Sequence, residues 1–291
     1  MSLKLLYKNN GKVFNEVIKE TPFLEFNALN RMGMVKHGFS TRLGGVSEGN
    51  YESLNLGYST GDGIHEVTRN FIKVGKAMGI HINDMVFSKQ THSTNVKMVG
   101  NEDRGNGITK VQKFREVDGL ITNEPGVCLV TFYADCVPLF FVDPVNKAIG
   151  LSHSGWRGTA SKMAVKTLNM MVGKFGTNPR NVKVAIGPSI CQSCYEVDEE
   201  VVDEIRKHFP RETWREIYIK KENGKCLLDL WRANELFLHD AGVLYSNIEV
   251  TNLCTCCNKN TFFSHRAMGE QRGVMAAFLM MKDWKDMEIS Y

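Results

Sequence analysis

The sequence predicts an α/β (α+β) fold in which mixed β-sheets pack against flanking helices within a single domain. Three observations carry that prediction. Short β-rich runs bounded by turn signals recur between residues 85 and 190. Four segments with apolar residues at helical spacing are interspersed with them, without strict strand–helix alternation. No internal repeat, low-complexity tract or Pro/Ser-rich linker divides the chain, so one domain over residues 1–291 is expected.

The elements follow in order. The stretch HGFSTRLGGVSEGNYESLNLGYSTGD is glycine-rich and reads as neither good helix nor good strand. Its Phe39, Tyr51, Leu54, Leu56 and Tyr58 argue for a loop that is ordered and packed. A helix is expected over 67–78, and MVFSKQTHSTNVKMV reads as strand, turn, strand. The segment DGLITNEPGVCLVTFYADCVPLFFVDPVNKAIGLSH contains several short strands, separated by Asn-Glu-Pro-Gly, Asp-Cys-Val-Pro and Asp-Pro-Val-Asn turns. A helix over 158–175 would place Met163, Leu168, Met171, Val172 and Phe175 near one face, with Gly176 as its C-terminal cap. NVKVAIGPSI is a strand running into a turn. Helices are expected over 198–209 and 230–241, and the C-terminus returns to strands. The methionine-rich MAAFLMM reads as core filling.

Composition narrows the functional classes. The chain has 291 residues, 43% hydrophobic and 23% charged, with a net charge of +4. That balance describes an ordinary globular protein and is too mild to suggest nucleic-acid binding. The start MSLKLLYKNN has no apolar signal region, and the longest apolar run, 127–142, is broken by Asp135 and Pro138. A cytoplasmic protein that does not span a membrane is expected. The eight cysteines then read as thiols, ligands or catalysts rather than a disulfide framework. There is no Gly-x-Gly-x-x-Gly after a strand and no Walker loop.

Three ligand-type residues sit at the ends or in the turns of β-type runs: His92 in KQTHSTN, Cys136 in YADCVPL and His153 in LSHSGWRG. Structural zinc sites favour close ligand pairs, whereas three ligands on separate turns suit a catalytic metal with an open fourth position. One thiolate and two imidazoles select zinc or copper over magnesium or calcium. The same trio admits a nucleophilic reading, with Cys136 activated by His153 or His92 and the imidazole oriented by Asp135 or a backbone group. CQSC at Cys191 and Cys194, with CTCC at Cys254, Cys256 and Cys257, offers a second zinc site of imperfect spacing or a set of partly buried thiols. Arg42, Arg157 and Arg266 lie near these turns. Arg42 and Arg157 are in the glycine-flanked TRLGG and WRGT, where guanidinium and backbone amides suit an anion.

The motifs HGFSTRLGGVSEGNYESLNLG, KQTHSTNV, DGLIT, YADCVPLFFVDP, HSGWRGT, AIGPSICQSCYEV and CTCCNKNTFFSHRA resemble, in order, the YfiH/YlmD-type family. Its members were long labelled polyphenol oxidoreductases or laccase-domain proteins. They are now understood as purine nucleoside phosphorylases with accompanying adenosine deaminase activity. The resemblance implies a sandwich likened to cysteine-hydrolase folds and zinc bound by His92, Cys136 and His153. The substrates it implies are purine nucleosides (adenosine, inosine, 5′-methylthioadenosine) and phosphate. On this reading Arg42 holds phosphate, Asn55 holds the ribose or base, and Arg157 and Arg266 contribute to substrate binding. SHRAMGEQRG departs from the family's usual ending, and Arg272 receives no role.

Other functions make distinct demands. A copper-dependent polyphenol oxidase of the multicopper type needs His-x-His pairs, and none of the eight histidines are two residues apart. The familiar zinc deaminases need His-x-Glu with Pro-Cys-x-x-Cys. Here no histidine precedes glutamate by two, and ICQSC lacks the proline. A Cys–His hydrolase editing cell-wall precursors would use the same trio without a metal. A zinc-stabilised binding module fits poorly with scattered ligands.

Overall fold

The computed structural model describes residues 3–283. Met1, Ser2 and residues 284–291 of the expected domain lie outside the described residues. Two six-stranded sheets lie face to face. The first runs Phe14–Val17, Phe23–Phe26, Val35–Ser40, Met275–Met281, Cys128–Tyr133, Met85–Phe87. The second runs Ile248–Val250, Lys183–Ile186, Val137–Asp143, Ala148–Ser154, Gly119–Thr122, Val96–Met98. Both are mixed: the Met85–Phe87, Ile248–Val250 and Val96–Met98 strands pair parallel, and the other pairs are antiparallel.

The side-chain period of two builds the layers. On Val137–Asp143, Phe140 and Val142 enter the core between the sheets, where they meet Leu129, Tyr133, Ala277 and Leu279 of the first sheet. Val137, Leu139 and Phe141 face outward, but onto helices rather than water. Helices Met163–Phe175 and Leu230–Asp240 cover that face through Leu168, Met171, Ala233 and Phe237. Helix Ile64–Met78 covers the outer face of the first sheet, packing Val67, Phe71 and Val74 on Val130 and Phe278. The order is helix, sheet, sheet, helix. Strands buried on both faces read as near-continuous apolar runs, which is why VCLVTFY and VPLFFV lack polar alternation. Phe71→Ala would cost about 3–5 kcal/mol in such a layer.

Two expectations need correction. The stretch beginning at His37 is not loop throughout, because Val35–Ser40 is a strand pairing with Met275–Met281. Gly38 belongs there for space: a Cβ would stand 2.7 Å from Met78 Cε and 2.9 Å from Phe23 Cδ2. The helix expected over 158–175 is two, Trp156–Ala160 and Met163–Phe175. Lys162, at φ 60°, turns the chain between them, and Gly176 caps the second with its N–H on the Val172 carbonyl. The helices expected over 67–78, 198–209 and 230–241 are present as Ile64–Met78, Glu199–Arg206 and Leu230–Asp240. Asp229 caps the last by accepting the Arg232 N–H. Among the described residues, no helix is long and apolar enough to cross a membrane.

Candidate metal centre and substrate cavity

The crossing from one sheet to the other creates the site. Strand Cys128–Tyr133 belongs to the first sheet and Val137–Asp143 to the second. Ala134, Asp135 and Cys136 make the passage, with Asp135 at φ 87°. Cys136 therefore stands at the rim of the sandwich. His153 is opposite Pro138 in the antiparallel register, one step from the end of Ala148–Ser154. His92 comes from the turn beyond Met85–Phe87, in a left-handed conformation at φ 60°. One ligand atom from each of the three lies within 4.8 Å of the others, and Cys136 Sγ is 3.8 Å from His92 Nε2. Metal–ligand bonds of about 2.0–2.3 Å separate tetrahedral N and S ligands by about 3.6 Å, so the residues fit a zinc-sized ion. His153 is buried and His92 is exposed, which leaves the cluster open on one side.

Asp118 locks two of the three. Its carboxylate accepts the backbone N–H groups of Thr91, His92 and Ser93 and the Ser93 hydroxyl. It also lies 2.9 Å from His153 Nδ1, which leaves Nε2 free for a metal. Burial alone would raise the Asp118 carboxyl, but the His153 contact and the surrounding donors hold it below its ordinary value. Burial would likewise raise the Cys136 thiol, yet His153 and His92 bring it down to about 6. His153 moves the other way: burial would lower it, and Cys136 with Asp118 raise it to about 9. The cluster thus favours a thiolate beside an imidazolium, the electrostatic setting that a divalent cation would take over. Gly155 keeps it compact, because a Cβ there would meet Cys136 Sγ at 2.9 Å and His92 Cδ2 at 3.1 Å.

The cluster opens on a cavity of about 300 Å³ whose wall includes Trp156, Arg157, Tyr195, His265, Arg266 and Arg272. The Arg157 guanidinium lies 4.3 Å from the Trp156 ring centroid. Arg266 donates to the Cys194 and Glu196 carbonyls and lies 5.3 Å from the Tyr195 ring. Arg272 is half-buried and donates to the Gly269 and Glu270 carbonyls. Its buried Nε has no partner among the described residues. Burial lowers the Arg272 pKa, with Asp135 and Cys136 opposing. Three cations and two aromatic rings thus surround one opening.

Not every residue anticipated for substrate lies there. Arg157 and Arg266 line the cavity; Arg42 and Asn55 do not. Arg42 Nε donates to the Glu52 carbonyl and Nη1 to Lys259, and its guanidinium lies over Phe263. It ties the glycine-rich loop to the 259–263 segment. Asn55 is wholly buried. Its amide donates to Thr60 and Asp62, and its carbonyl accepts from the Gly57 and Val274 N–H groups. Every contact is a brace within the protein. Asp135, considered above as orienter of an imidazole, instead accepts from Thr255, Ser264 and the Arg266 N–H. Asp118 has the orienting position. Its sequence signal is modest, an acid immediately before the strand Gly119–Thr122, and such residues usually mark turns. Tyr195 and His265 lie inside the family-like motifs without an assigned role, and Arg272, left without a role because its motif departs from the family's ending, lines the cavity with them.

The geometry can be set beside known proteins. Purine nucleoside phosphorylase YlmD of Geobacillus stearothermophilus is 39% identical over 249 residues, covering 83% of this chain and 88% of that protein. Adenosine deaminase RL5, from an unknown prokaryotic organism, is 35% identical over 239 residues, 81% of this chain and 90% of its own. The crystal structure of YlmD from Geobacillus stearothermophilus superimposes with a TM-score of 0.88 at 35% identity, covering 94% of this chain and all of that one. Residues 36–282 match the family described as multi-copper polyphenol oxidoreductase laccase, and the chain belongs to that laccase-domain family.

Proposed function

We propose that this chain is a zinc-dependent purine nucleoside phosphorylase. In this reading it cleaves adenosine, inosine and 5′-methylthioadenosine with phosphate, giving the free base and ribose 1-phosphate or its methylthio analogue, and it also deaminates adenosine. The observation that carries the reading is the open His92–Cys136–His153 cluster on a cavity with three arginines and two aromatic rings. The relatives' names, a purine nucleoside phosphorylase and an adenosine deaminase, support the purine assignment.

The residues divide the work by their chemistry. Trp156 and Tyr195 offer flat apolar faces to a purine. Arg157, Arg266 and Arg272 supply charge-assisted donors to the phosphate dianion. Arg42 and Asn55 act as positioning residues, holding the loops around the cavity. In phosphorolysis a phosphate oxygen bonds to the anomeric carbon as the bond to N9 of the purine breaks. The electron pair goes to the base, and the proton that the hydrogen phosphate gives up in forming the ester is taken up, directly or through solvent, at a ring nitrogen. His92, Cys136 and His153 would hold the zinc, which supplies Lewis acidity at the cavity when bound. Asp118 fixes the tautomer of His153 and the turn bearing His92.

The ligand sets disfavour a multinuclear copper oxidase. Among the described residues, the groupings able to hold a metal are this trio and an all-cysteine group. The decisive experiment is incubation of metal-quantified protein with adenosine, with and without phosphate, followed by product analysis. Adenine with ribose 1-phosphate is expected only when phosphate is present, and inosine in either case. Absence of phosphate-dependent adenine release, or loss of activity only on removal of copper, overturns the reading. Full activity in metal-free protein would point to the Cys–His hydrolase chemistry instead.

A further inference from the structure

We propose that Cys191, Cys194, Cys254 and Cys257 form a second metal site, a structural zinc centre of four thiolates. Cys191 and Cys194 follow strand Lys183–Ile186, and Cys254 and Cys257 follow strand Ile248–Val250. These strands are parallel neighbours at the edge of the second sheet. Their extensions stay in contact through a bridge between Ser189 and Cys254. Each extension therefore delivers one Cys-x-x-Cys pair to the same place. The sequence obscures this because Cys256 makes the second pair look like Cys-x-Cys-Cys. The spacing that matters is Cys254 to Cys257, and Cys256 lies outside the four-sulfur group.

The geometry suits zinc. The four sulfurs lie within 4.8 Å of one another, and Cys194 Sγ is 3.5 Å from Cys257 Sγ. A tetrahedral ion with bonds of about 2.3 Å holds its sulfurs about 3.8 Å apart. The surroundings suit negative sulfur as well. Cys254 Sγ accepts the backbone N–H groups of Cys191 and Cys257 at 3.3 and 3.4 Å. Cys191 Sγ lies 3.2 Å from the Ser193 hydroxyl, and the Lys8 ammonium reaches that hydroxyl at 3.3 Å. Donors of this kind steady thiolate ligands from the second layer. Four sulfurs complete a tetrahedron and leave no open position, so the role is structural rather than catalytic.

The site also has work to do where it lies. Its first pair brackets the turn leading into Tyr195, whose ring walls the cavity. Its second pair flanks Thr255, whose hydroxyl holds Asp135 beside Cys136. The zinc would tie both loops to the sheet edge and keep that wall in place. The four-cysteine group would hold its zinc whatever reaction runs in the cavity.

Metal analysis of purified protein tests it. Wild type should carry two zinc equivalents per chain. Cys136→Ala should keep one, because its loss empties only the His92–Cys136–His153 group. Cys254→Ser should lose the other, and Cys256→Ser should keep both. Cobalt bound to Cys136→Ala should show the intense sulfur-to-metal charge transfer of a tetrahedral four-thiolate site. A Cys136→Ala protein without metal overturns the proposal, as does a Cys194–Cys257 disulfide found by mass analysis of the unreduced chain. If Cys254→Ser does not fold, the Cys136→Ala measurement decides alone. Failure of phosphorolysis with two metals present would refute the proposed function and leave this site standing.

Discussion

Two clusters of side chains able to hold a metal lie on neighbouring loops of this protein, and they are built on opposite plans. The first gathers His92, Cys136 and His153 from three distant turns, mixes nitrogen with sulfur, and borders a cavity. The second gathers Cys191, Cys194, Cys254 and Cys257 from two close pairs, uses sulfur alone, and has four ligands in place. Scattered ligands are held by the fold, so the fold must exist before the metal can bind. Paired ligands come in short local loops, so the metal itself can organise them. Chelation would sharpen this contrast. A three-ligand site open to solvent should release zinc quickly, with loss of activity and little loss of structure. The four-thiolate site should release it slowly, with a fall in thermal stability.

The largest effect should come from Cys136→Ala. Losing the metal at the cavity should cut turnover on the order of 10³-fold, since charge stabilisation of several kcal/mol is lost. Circular dichroism should still report a folded chain, because Cys136 lies on a crossing turn at the rim. Unfolding of this variant would break the contrast by making the open site structural. Asp118→Asn comes next. The amide has one acceptor where the carboxylate served five contacts, so metal affinity at the trio should fall about 10–100-fold. Zinc titration checks this, and an unchanged affinity would remove Asp118 from its orienting role.

Arg272→Ala should then raise the phosphate KM more than the adenosine KM, because a charge-assisted anion contact contributes about 1.5–3 kcal/mol. Arg42→Ala should shift both constants together, since Arg42 binds loop carbonyls rather than lining the cavity. The reverse pattern would return phosphate binding to Arg42.

How much of this was legible in the sequence depended on how local each signal was. His92, Cys136 and His153 stood out because ligand-type residues at strand ends are conspicuous against apolar runs. The mixed sheets and flanking helices followed from turn signals and helical spacing. The strand Val35–Ser40 was hidden because its pairing with Met275–Met281 joins distant parts of the chain. Asn55 receives a substrate role only through the family resemblance, and the tertiary structure shows its amide bonded at both ends within the protein. Asp118 enters the sequence reading only as the first residue of DGLIT, without a role. Its five contacts involve residues 91–93, a turn brought close by the parallel pairing of Val96–Met98 with Gly119–Thr122, and His153, brought alongside by the pairing of Gly119–Thr122 with Ala148–Ser154. Cys256 disguised a regular Cys-x-x-Cys pair.

The smallest effect should separate the two clusters most finely. Lys8 is exposed, and its ammonium reaches Ser193 beside Cys191. A centre of four thiolates around one divalent ion carries excess negative charge, which a nearby ammonium offsets. The ammonium is in water, so solvent screening limits its contribution to about 0.2–1 kcal/mol. Lys8→Met should therefore speed zinc release from the all-cysteine site by about 1.4- to 5-fold at low salt, with less difference at high salt. The His92–Cys136–His153 site should release its metal at the wild-type rate, since none of the Lys8 contacts involve that trio. Release followed with a chromogenic chelator would resolve the two phases. Acceleration of the fast, activity-linked phase would show that the clusters share one electrostatic environment, and the division between an open and a closed centre would then fail.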